Sequence, residues 1–523
     1  MVNEFNYVTC PKCGHDRNPI TAKKCEICAK KLGKGGSPLP LIAAGLATLA
    51  IFGGGGYFFL KGSQSITASS DPVPAATTAN AGESAPVLAE SQAIAATVSD
   101  VTNYLSQGDR ILISDASNPD KQAGVQAFAS GDFQTAVTRF QAARQALRND
   151  PETLIYLNNA RLGSSPTLTI AAVVPIGTDS PVGGNLNAAR ELLRGIAQAQ
   201  DEAVQAGVPF KVLIADDAND PSRAEAIANV LVQDQHVLAV VGHGTSRTSL
   251  AAAPIYQQNQ LLMIAPTSTS TELAQVPRGA GGNFVFRTIP SDQFTGTTLA
   301  RHALAEGKNR AIVFFNSQSS YSKSLMEAFS TTLGLEGGQI VQQVDLSEGN
   351  AASQLANNAD VIVLLPDSET LTQAIAVASA NQNRLPILAG DAFYTIESLR
   401  QGGSALNNAV LSVPWHPLAS ANPNFIQASS SLWGGDVNWR TAFAYDAMQT
   451  LRSARSSASV TPQVGVEGRT KLNSALTGSG FSANGTTGVI SFLPSGDRNS
   501  KVLLVRVQPG NRSGTGFDFV PIQ

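Results

Sequence analysis

Four cysteines with paired spacing are the residues of this sequence whose types and positions most clearly indicate chemistry. They follow the pattern C-x2-C-x11-C-x2-C, and the 495 residues after Cys28 contain no cysteine. Two tight turns at this spacing can present four thiolates tetrahedrally to one Zn²⁺, with His15 as a bystander. Two disulfides or four free thiols are the alternatives. We predict a structural zinc site, and its ligands are Cys10, Cys13, Cys25 and Cys28.

Small hydroxyl-bearing side chains form the second chemically suggestive group. In LAVVGHGTSRTSL (238–250), an apolar run ends at Gly242 and a Thr/Ser-rich segment follows. A similar segment, APTSTSTEL, begins at Ala265. Such a segment after a strand could bind phosphate, hold a nucleophile, bind a small ligand or cap a helix.

Enzyme signatures are missing from the sequence. It contains neither a G-x-S-x-G nucleophile elbow nor a G-x4-G-K-[ST] phosphate loop. Its five histidines show no metal-ligand or triad spacing, and we interpret His243 as a structural residue of its loop. We therefore predict that the protein is not an enzyme.

The charge distribution argues against nucleic-acid binding. The 523 residues are 43% apolar and 14% charged, with a net charge of −3. Residues 1–37 hold seven Lys/Arg against three Asp/Glu, so the positive charge is confined to this end. No basic surface large enough for a nucleic acid is evident elsewhere.

A predicted membrane helix, 38–61, separates the cysteine-containing segment from the rest of the chain. Its centre, 39–60, has 22 residues without a charge, enough to cross about 30 Å of hydrocarbon. Five lysines, at positions 23, 24, 30, 31 and 34, lie shortly before it and Lys61 alone follows closely, which places the N-terminus in the cytoplasm. A cleaved signal peptide is the alternative; we favour an uncleaved anchor in the plasma membrane, with the C-terminal part periplasmic or extracytoplasmic.

Two further regions precede the largest domain. Residues 62–90 are rich in Ser, Ala, Thr and Pro without periodicity, which is typical of a flexible linker. Residues 91–163 have small and aromatic residues at helix-hairpin spacing and resemble a tetratricopeptide repeat. One repeat cannot bury its own face. We therefore expect this hairpin to pack on neighbouring helices, on the next domain or on a partner; a spacer role is open.

From residue 167 the pattern becomes an alternation of strands and helices. Apolar runs such as TLTIAAVVP, VLAVVG and DVIVLLP are separated by amphipathic segments. This alternation predicts parallel sheets with crossover helices. The length of 167–523 exceeds one comfortable sheet, so we predict an α/β domain of two lobes around a cleft.

Residues 167–523 resemble the type I periplasmic binding proteins of the branched-chain amino-acid kind, the extracytoplasmic receptors of amino-acid ABC importers. The resemblance is carried by ADDANDPSRAEAIANVLV, VLAVVGHGTSRTSLAAAPIYQQNQLLMIAPTSTSTEL, FRTIPSDQFTGTTLA and FSANGTTGVISFLPSGDR. It implies two lobes joined by three crossing strands that close on a ligand. The cysteine segment, 1–36, resembles the small zinc ribbons at the N-termini of many prokaryotic membrane proteins.

The resemblance also implies which residues bind the ligand. Ser246, Thr267 and Thr269 match the loops that bind the ligand carboxylate, Asp391 matches the acid that pairs with the ammonium group, and Tyr321 matches a cleft-lining tyrosine. Each has a structural alternative. Ser246 could cap a helix beginning at Arg247, Thr269 could open a capping box, Asp391 could cap the next helix, and Tyr321 could be a core residue. The acidic residues of ADDAND we interpret as structural.

This chain departs from the family where aromatic residues commonly line the cleft. It has polar residues at those places: Thr178, Asp179, Asn185, Asp367 and Ser368. A polar amino acid, an amide, a urea-like compound or a small peptide therefore suits the site better than a branched aliphatic ligand.

The sequence leaves two roles open. The first is a membrane-anchored solute-binding protein, for ABC uptake through a permease or for ligand sensing with a signalling partner. The second is an interaction or scaffold protein of the cell envelope without a small ligand, because helical repeats before this fold resemble a lipoprotein that activates a peptidoglycan synthase.

Overall fold

The computed structural model describes residues 101–177, 184–279, 281–355, 358–461 and 465–522, and the antiparallel strand pair β1 (Tyr7–Val8) and β2 (Asn18–Pro19). The four cysteines, the predicted membrane helix, the linker 62–90, and Thr178 and Asp179 lie outside the described residues. Within the described ranges, no helix has the length and hydropathy to cross a membrane, and no three His, Cys, Asp or Glu residues group as metal ligands.

The first lobe is built on a six-stranded sheet. Its strands are β3 (Leu105–Ser106), β4 (Leu168–Val174), β5 (Phe210–Asp216), β6 (Val237–Val241), β7 (Leu262–Ala265) and β8 (Val285–Arg287). They lie in the order β3-β5-β4-β6-β7-β8, and all neighbours are parallel except β3 and β5. Every residue of β4 is buried, as expected for a parallel strand covered by helices on both faces.

The second lobe contains a seven-stranded sheet. Its strands are β9 (Arg310–Phe315), β10 (Gln339–Asp345), β11 (Val361–Leu365), β12 (Ile387–Ala389), β13 (Val410–Val413), β16 (Leu503–Pro509) and β17 (Phe517–Pro521). A separate hairpin of β14 (Ala483–Gly485) and β15 (Gly488–Ile490) packs on the first lobe. The order is β10-β9-β11-β12-β13-β16-β17, with the last two strands antiparallel.

Thirteen α-helices connect and cover these strands in the described part of the chain. They are α1 (Pro119–Ala129), α2 (Phe133–Ala146), α3 (Pro151–Leu162), α4 (Leu186–Gln205), α5 (Pro221–Gln233), α6 (Ser246–Gln258), α7 (Asp292–Ala305), α8 (Ser320–Leu335), α9 (Leu371–Asn381), α10 (Ile396–Gly402), α11 (Pro423–Trp433), α12 (Trp439–Ala458) and α13 (Gly465–Thr477). Helix α4 packs closely on α12, since a Cβ at Gly195 would lie 2.2 Å from the carbonyl oxygen of Thr441.

The chain crosses between the lobes three times. It leaves the first lobe after β8, returns after β13 to form α11, α12 and α13, and leaves again after β15 to add β16 and β17 to the second sheet. Each lobe has its own apolar layers on the two faces of its sheet. The predicted two-lobe α/β fold with three crossing segments is confirmed.

The helices before β4 share the core of the first lobe. Phe140 of α2 and Ile155 and Tyr156 of α3 are fully buried in the same apolar cluster as β4 and α4. Strand β3 extends the sheet at β5, and beyond it the Asn159 amide donates to the carbonyl of Val212 and accepts from its N–H. Of the alternatives for this region, packing on the next domain is the one observed, whereas the tetratricopeptide assignment stays a prediction.

Candidate functional site

A cavity of about 110 Å³ lies between the lobes, at the carboxyl ends of the strands. The first lobe supplies the loops after β6 and β7, and the second lobe supplies those after β9, β11 and β12. The five residues predicted from sequence all line this cavity: Ser246, Thr267, Thr269, Tyr321 and Asp391. The structure therefore brings together residues that are widely spaced in the chain.

The loop after β6 presents Ser246 at the start of α6. The cap of this helix is Thr245, whose hydroxyl accepts from the N–H of Thr248. The helix thus begins at Ser246, one residue earlier than in the capping alternative, and Ser246 is not the cap. Its hydroxyl oxygen instead accepts from the N–H of Ser270 at 3.2 Å, which leaves its proton available to a ligand.

The loop after β7 contains two threonines in different states. The Thr267 hydroxyl donates to the carbonyls of His243 and Gly244, and so joins the two loops of the first lobe. The Thr269 hydroxyl is buried and forms no hydrogen bond of standard geometry with any described residue. The capping alternative for Thr269 is not what the structure shows, because Ser270 caps the short helical turn that follows.

Across the cavity, the second lobe presents an acid held by a tyrosine. The Tyr321 hydroxyl donates to Oδ1 of Asp391 at 2.8 Å and accepts from the N–H of Ala392 at 3.2 Å. Burial raises the pKa of Asp391 above its ordinary value, and the bond from Tyr321 partly offsets this. A ligand ammonium would lower that pKa and hold the carboxylate charged.

A second buried acid, Asp292, begins α7 beneath the cavity. Its N–H donates to the carbonyl of Thr269, and neither carboxylate oxygen forms a standard hydrogen bond with the described residues. Burial, followed by the nearby charge of Asp391, raises the pKa of Asp292 to about 7. The Ser324 and Thr269 hydroxyls lie close enough to offset part of this rise.

The polar residues that were predicted to line the cleft do line the cavity wherever the structure describes them. Asn185, Asp367 and Ser368 line the cavity, whereas Pro175, Ala188 and Ala392 supply small apolar patches.

The acids of ADDAND have structural partners, as predicted: Asp216 accepts from Gly177 and Ala218, Asp217 from His243 and Asn219, and Asp220 caps α5. The interpretation of His243 as structural is confirmed, since its ring is fully buried between Asp217 and Tyr256.

Sequence reasoning missed two features of the site. Trp439 and Arg440, at the start of α12, line the cavity from the segment that returns to the first lobe. An ion pair also joins the lobes beside the cavity, between Arg247 of α6 and Glu369 of the loop after β11, at 3.1 Å. The sequence did contain an indication of Arg440. A cation in the first turn of a helix is electrostatically unfavourable, so its presence there suggests a functional role.

The arrangement matches a zwitterion in charge and hydrogen bonding. Hydroxyl groups and the positive end of α6 face one side of the cavity, where a carboxylate would be favoured. The buried carboxylate of Asp391 faces the other side, where an ammonium group would be favoured.

Comparisons with known proteins agree with this geometry. The model of the periplasmic binding protein family matches residues 167–513. An amino acid binding protein of Pseudomonas aeruginosa is 29% identical over 34% of this chain and 48% of its own length. A Leu/Ile/Val-binding protein of Rhizobium johnstonii is 27% identical over 55% of this chain and 80% of its own. These relatives are substrate-binding proteins rather than enzymes.

Solved structures show the same fold. A leucine binding protein from Thermotoga maritima is 25% identical, with a TM-score of 0.57, over 68% of this chain and 97% of that one. A substrate-binding protein of an ABC transporter from Desulfitobacterium hafniense, in complex with Leu, is 22% identical, with a TM-score of 0.55, over 68% of this chain and all of that one.

Proposed function

Because the chain belongs to the periplasmic binding protein family, we propose that it is a membrane-anchored, extracytoplasmic solute-binding protein that traps an amino acid or a similar small polar ligand between its lobes. Ser246, Thr267 and Thr269 form the carboxylate side of the trap, and Asp391, oriented by Tyr321, forms the ammonium side. The bound ligand serves ABC uptake or sensing.

One observation carries the proposal. The Thr269 hydroxyl and the Asp391 carboxylate are almost fully buried and line the same cavity, and the hydroxyl forms no hydrogen bond of standard geometry with the described residues. Buried polar groups without partners are costly, and a zwitterionic ligand would supply the missing partners. The names of the relatives, which are amino-acid-binding proteins, support the same ligand class.

Thermal unfolding of the purified full-length chain with each of the twenty amino acids tests the proposal. A ligand that binds the folded state alone raises the melting temperature in proportion to its affinity and concentration. We expect a shift with some of them, and its loss in Ser246→Ala and Asp391→Asn. Ser456→Ala, at an exposed position, and Asp120→Asn, at a half-exposed one, are the matched controls, since neither residue lines the cavity.

The opposite result has a clear meaning. If no amino acid, amide or short peptide shifts the unfolding of the wild-type chain, small-ligand binding is excluded. The role as an interaction or scaffold protein of the cell envelope then replaces it.

The anchor and the zinc site belong to the same proposal and rest on sequence alone. A reporter fused after residue 62 should be active only outside the cytoplasm, and activity inside would overturn the proposed topology. Metal analysis should find one zinc per chain, lost in Cys10→Ser together with Cys13→Ser. A chain that retains its metal in this double variant, or contains none as wild type, contradicts the predicted ligand set.

A further inference from the structure

Arg440 is a cation of the cavity without a described anionic partner. It follows Trp439 in the first turn of α12, and its guanidinium lies 4.2 Å from the centre of the Trp439 ring. Among the described residues, this stacking is the one direct contact recorded for the group, which forms no ion pair or hydrogen bond. The remaining donors of the guanidinium are therefore available to a ligand.

The arginines that line a second, wider cavity show that an arginine without an ion pair is unusual in this part of the molecule. It measures about 750 Å³, and Arg440 lines both cavities. Four other arginines line the wider cavity, and each has a carboxylate partner: Arg190 with Asp115, Arg194 with Glu191, Arg400 with Glu397, and Arg512 with Asp436. Arg440 thus differs from its cationic neighbours in this respect.

Carboxylates in the vicinity of Arg440 are otherwise engaged. Asp391 accepts from Tyr321, and Glu191 pairs with Arg194 and accepts from the Thr441 hydroxyl. Neither lies within ion-pair distance of Arg440, although both charges stabilise its cationic form. Burial lowers the pKa of Arg440, but an arginine stays protonated at neutral pH.

The local helix adds to the unbalanced positive charge. The N-terminus of α12 carries the positive end of the helix dipole, and Arg440 lies within its first turn. The guanidinium and this end of the dipole together favour an anion at this part of the cavity. An aliphatic ligand side chain would instead remove water from the guanidinium without replacing its hydrogen bonds, which is costly.

We propose that the ligand of this site is an amino acid whose side chain ends in a carboxylate, and that Arg440 binds that carboxylate. This inference rests on the proposed function. The hydroxyl loops bind the α-carboxylate, Asp391 binds the ammonium group, and Arg440 binds the second carboxylate, so that every charged group of the ligand has a complementary partner. The wider cavity beyond Arg440 leaves room for a side chain of glutamate length.

Calorimetric titration of the full-length wild-type chain with L-glutamate and L-glutamine tests this directly, since the two ligands differ in charge but hardly in shape. We expect glutamate to bind at least about tenfold more tightly, equivalent to about 1.4 kcal/mol. Equal or tighter binding of glutamine or leucine would overturn the inference and leave the proposed function intact. If none of the twenty amino acids binds, both fall together.

The variant Arg440→Gln separates ligand binding from a structural role. We expect the preference for glutamate to disappear, while the affinity for glutamine changes less than about threefold. Arg440→Lys, which keeps the charge, should retain part of the preference, and Arg139→Gln, which removes an exposed arginine outside both cavities, should retain all of it. An equal loss of both affinities in Arg440→Gln would contradict the assignment. If that variant does not fold, Arg440→Lys and the wild-type comparison decide.

Discussion

At the scale of single residues, two threonines of one loop have opposite relations to the protein. Thr267 uses its hydroxyl to hold the carbonyls of the loop after β6, whereas Thr269, two residues later, leaves its hydroxyl without a standard hydrogen bond among the described residues. A group that the fold satisfies contributes stability, and a buried group that it does not satisfy is a cost unless a ligand uses it. We therefore expect Thr267 to contribute mainly to stability and Thr269 mainly to ligand binding.

Replacing each threonine by valine keeps its shape and tests this separation. Thr267→Val should lower the free energy of unfolding by about 1 kcal/mol or more, because two carbonyl contacts are lost. Thr269→Val should lower the stability of the ligand-free chain by less than Thr267→Val, because only the weak interaction with Asp292 is lost, and should weaken ligand binding at least about tenfold. Urea unfolding and titration with the best ligand measure both effects. Equal losses of stability at the two positions would refute the contrast.

The buried acid Asp292 predicts a pH dependence of stability. Its pKa is raised to about 7 from an ordinary value of 3.8, so the folded state keeps a proton that the unfolded state releases between about pH 4 and pH 7. The stability contributed by this protonated form is therefore present below pH 4 and is lost as the pH rises through 7. Asp391 and Arg287 are the charged groups that influence it.

Asp292→Asn removes this titration. Relative to wild type, the variant should gain stability between about pH 4 and pH 7, at up to about 1.4 kcal/mol per pH unit, and the difference should level off above pH 7. Urea unfolding at intervals of half a pH unit measures the difference, and Asp120→Asn, at a half-exposed surface position, controls for the loss of a carboxylate. Parallel profiles for the variant and wild type would mean that Asp292 is already ionised in the folded protein.

At the scale of elements, the sequence predicts what short-range patterns encode. Buried runs such as that of β4, and hydroxyl residues directly after β6 and β7, are visible in the sequence, so the sheets and most of the site were predictable. The cap of α6 was not, because Thr245 and Ser246 are adjacent small hydroxyl residues and either can cap. Arg440 was missed because only the chain's return to the first lobe brings α12 to the cavity.

The junction of α3 with the first sheet is the element contact that the sequence predicted least. The Asn159 side chain pairs with both backbone groups of Val212 in β5, donates to the carbonyl of Gln107, and accepts from Gln200. A side-chain amide can hydrogen-bond to a strand edge only if the tertiary structure brings it there. The hydrophobic periodicity of the sequence contains no information on such a long-range contact. This contact joins the N-terminal helices to the lobe that supplies Ser246.

Asn159→Ala should therefore destabilise the first lobe rather than free an independent domain. Leaving buried backbone groups of β5 without partners should cost about 3 kcal/mol of unfolding free energy. We expect a single unfolding transition at lower urea and faster amide exchange at Val212. Asn229→Ala, which removes an exposed side-chain bond within α5, should change stability by less than about 0.5 kcal/mol. A separate early transition would show that the helices unfold independently.

At the scale of the whole molecule, the proposed function requires that two lobes on three crossing segments remain closed on the ligand. The ion pair of Arg247 with Glu369 spans the two lobes beside the cavity, so it forms only when they are close. Both side chains are substantially exposed, and pairs of this kind contribute between nothing and about 1 kcal/mol. The pair should favour closure modestly without determining which ligand is bound.

Glu369→Gln should therefore weaken ligand affinity about two- to fivefold, mainly through faster dissociation, and leave the ranking of ligands unchanged. High salt should weaken wild-type binding in the same way and have less effect on the variant, because it screens the same attraction. Glu336→Gln is a matched control, since it breaks a similarly exposed pair with Arg301 inside the second lobe, and should leave affinity unchanged. If both variants alter affinity equally, the effect is one of net charge, and the pair between the lobes has no specific role in closure.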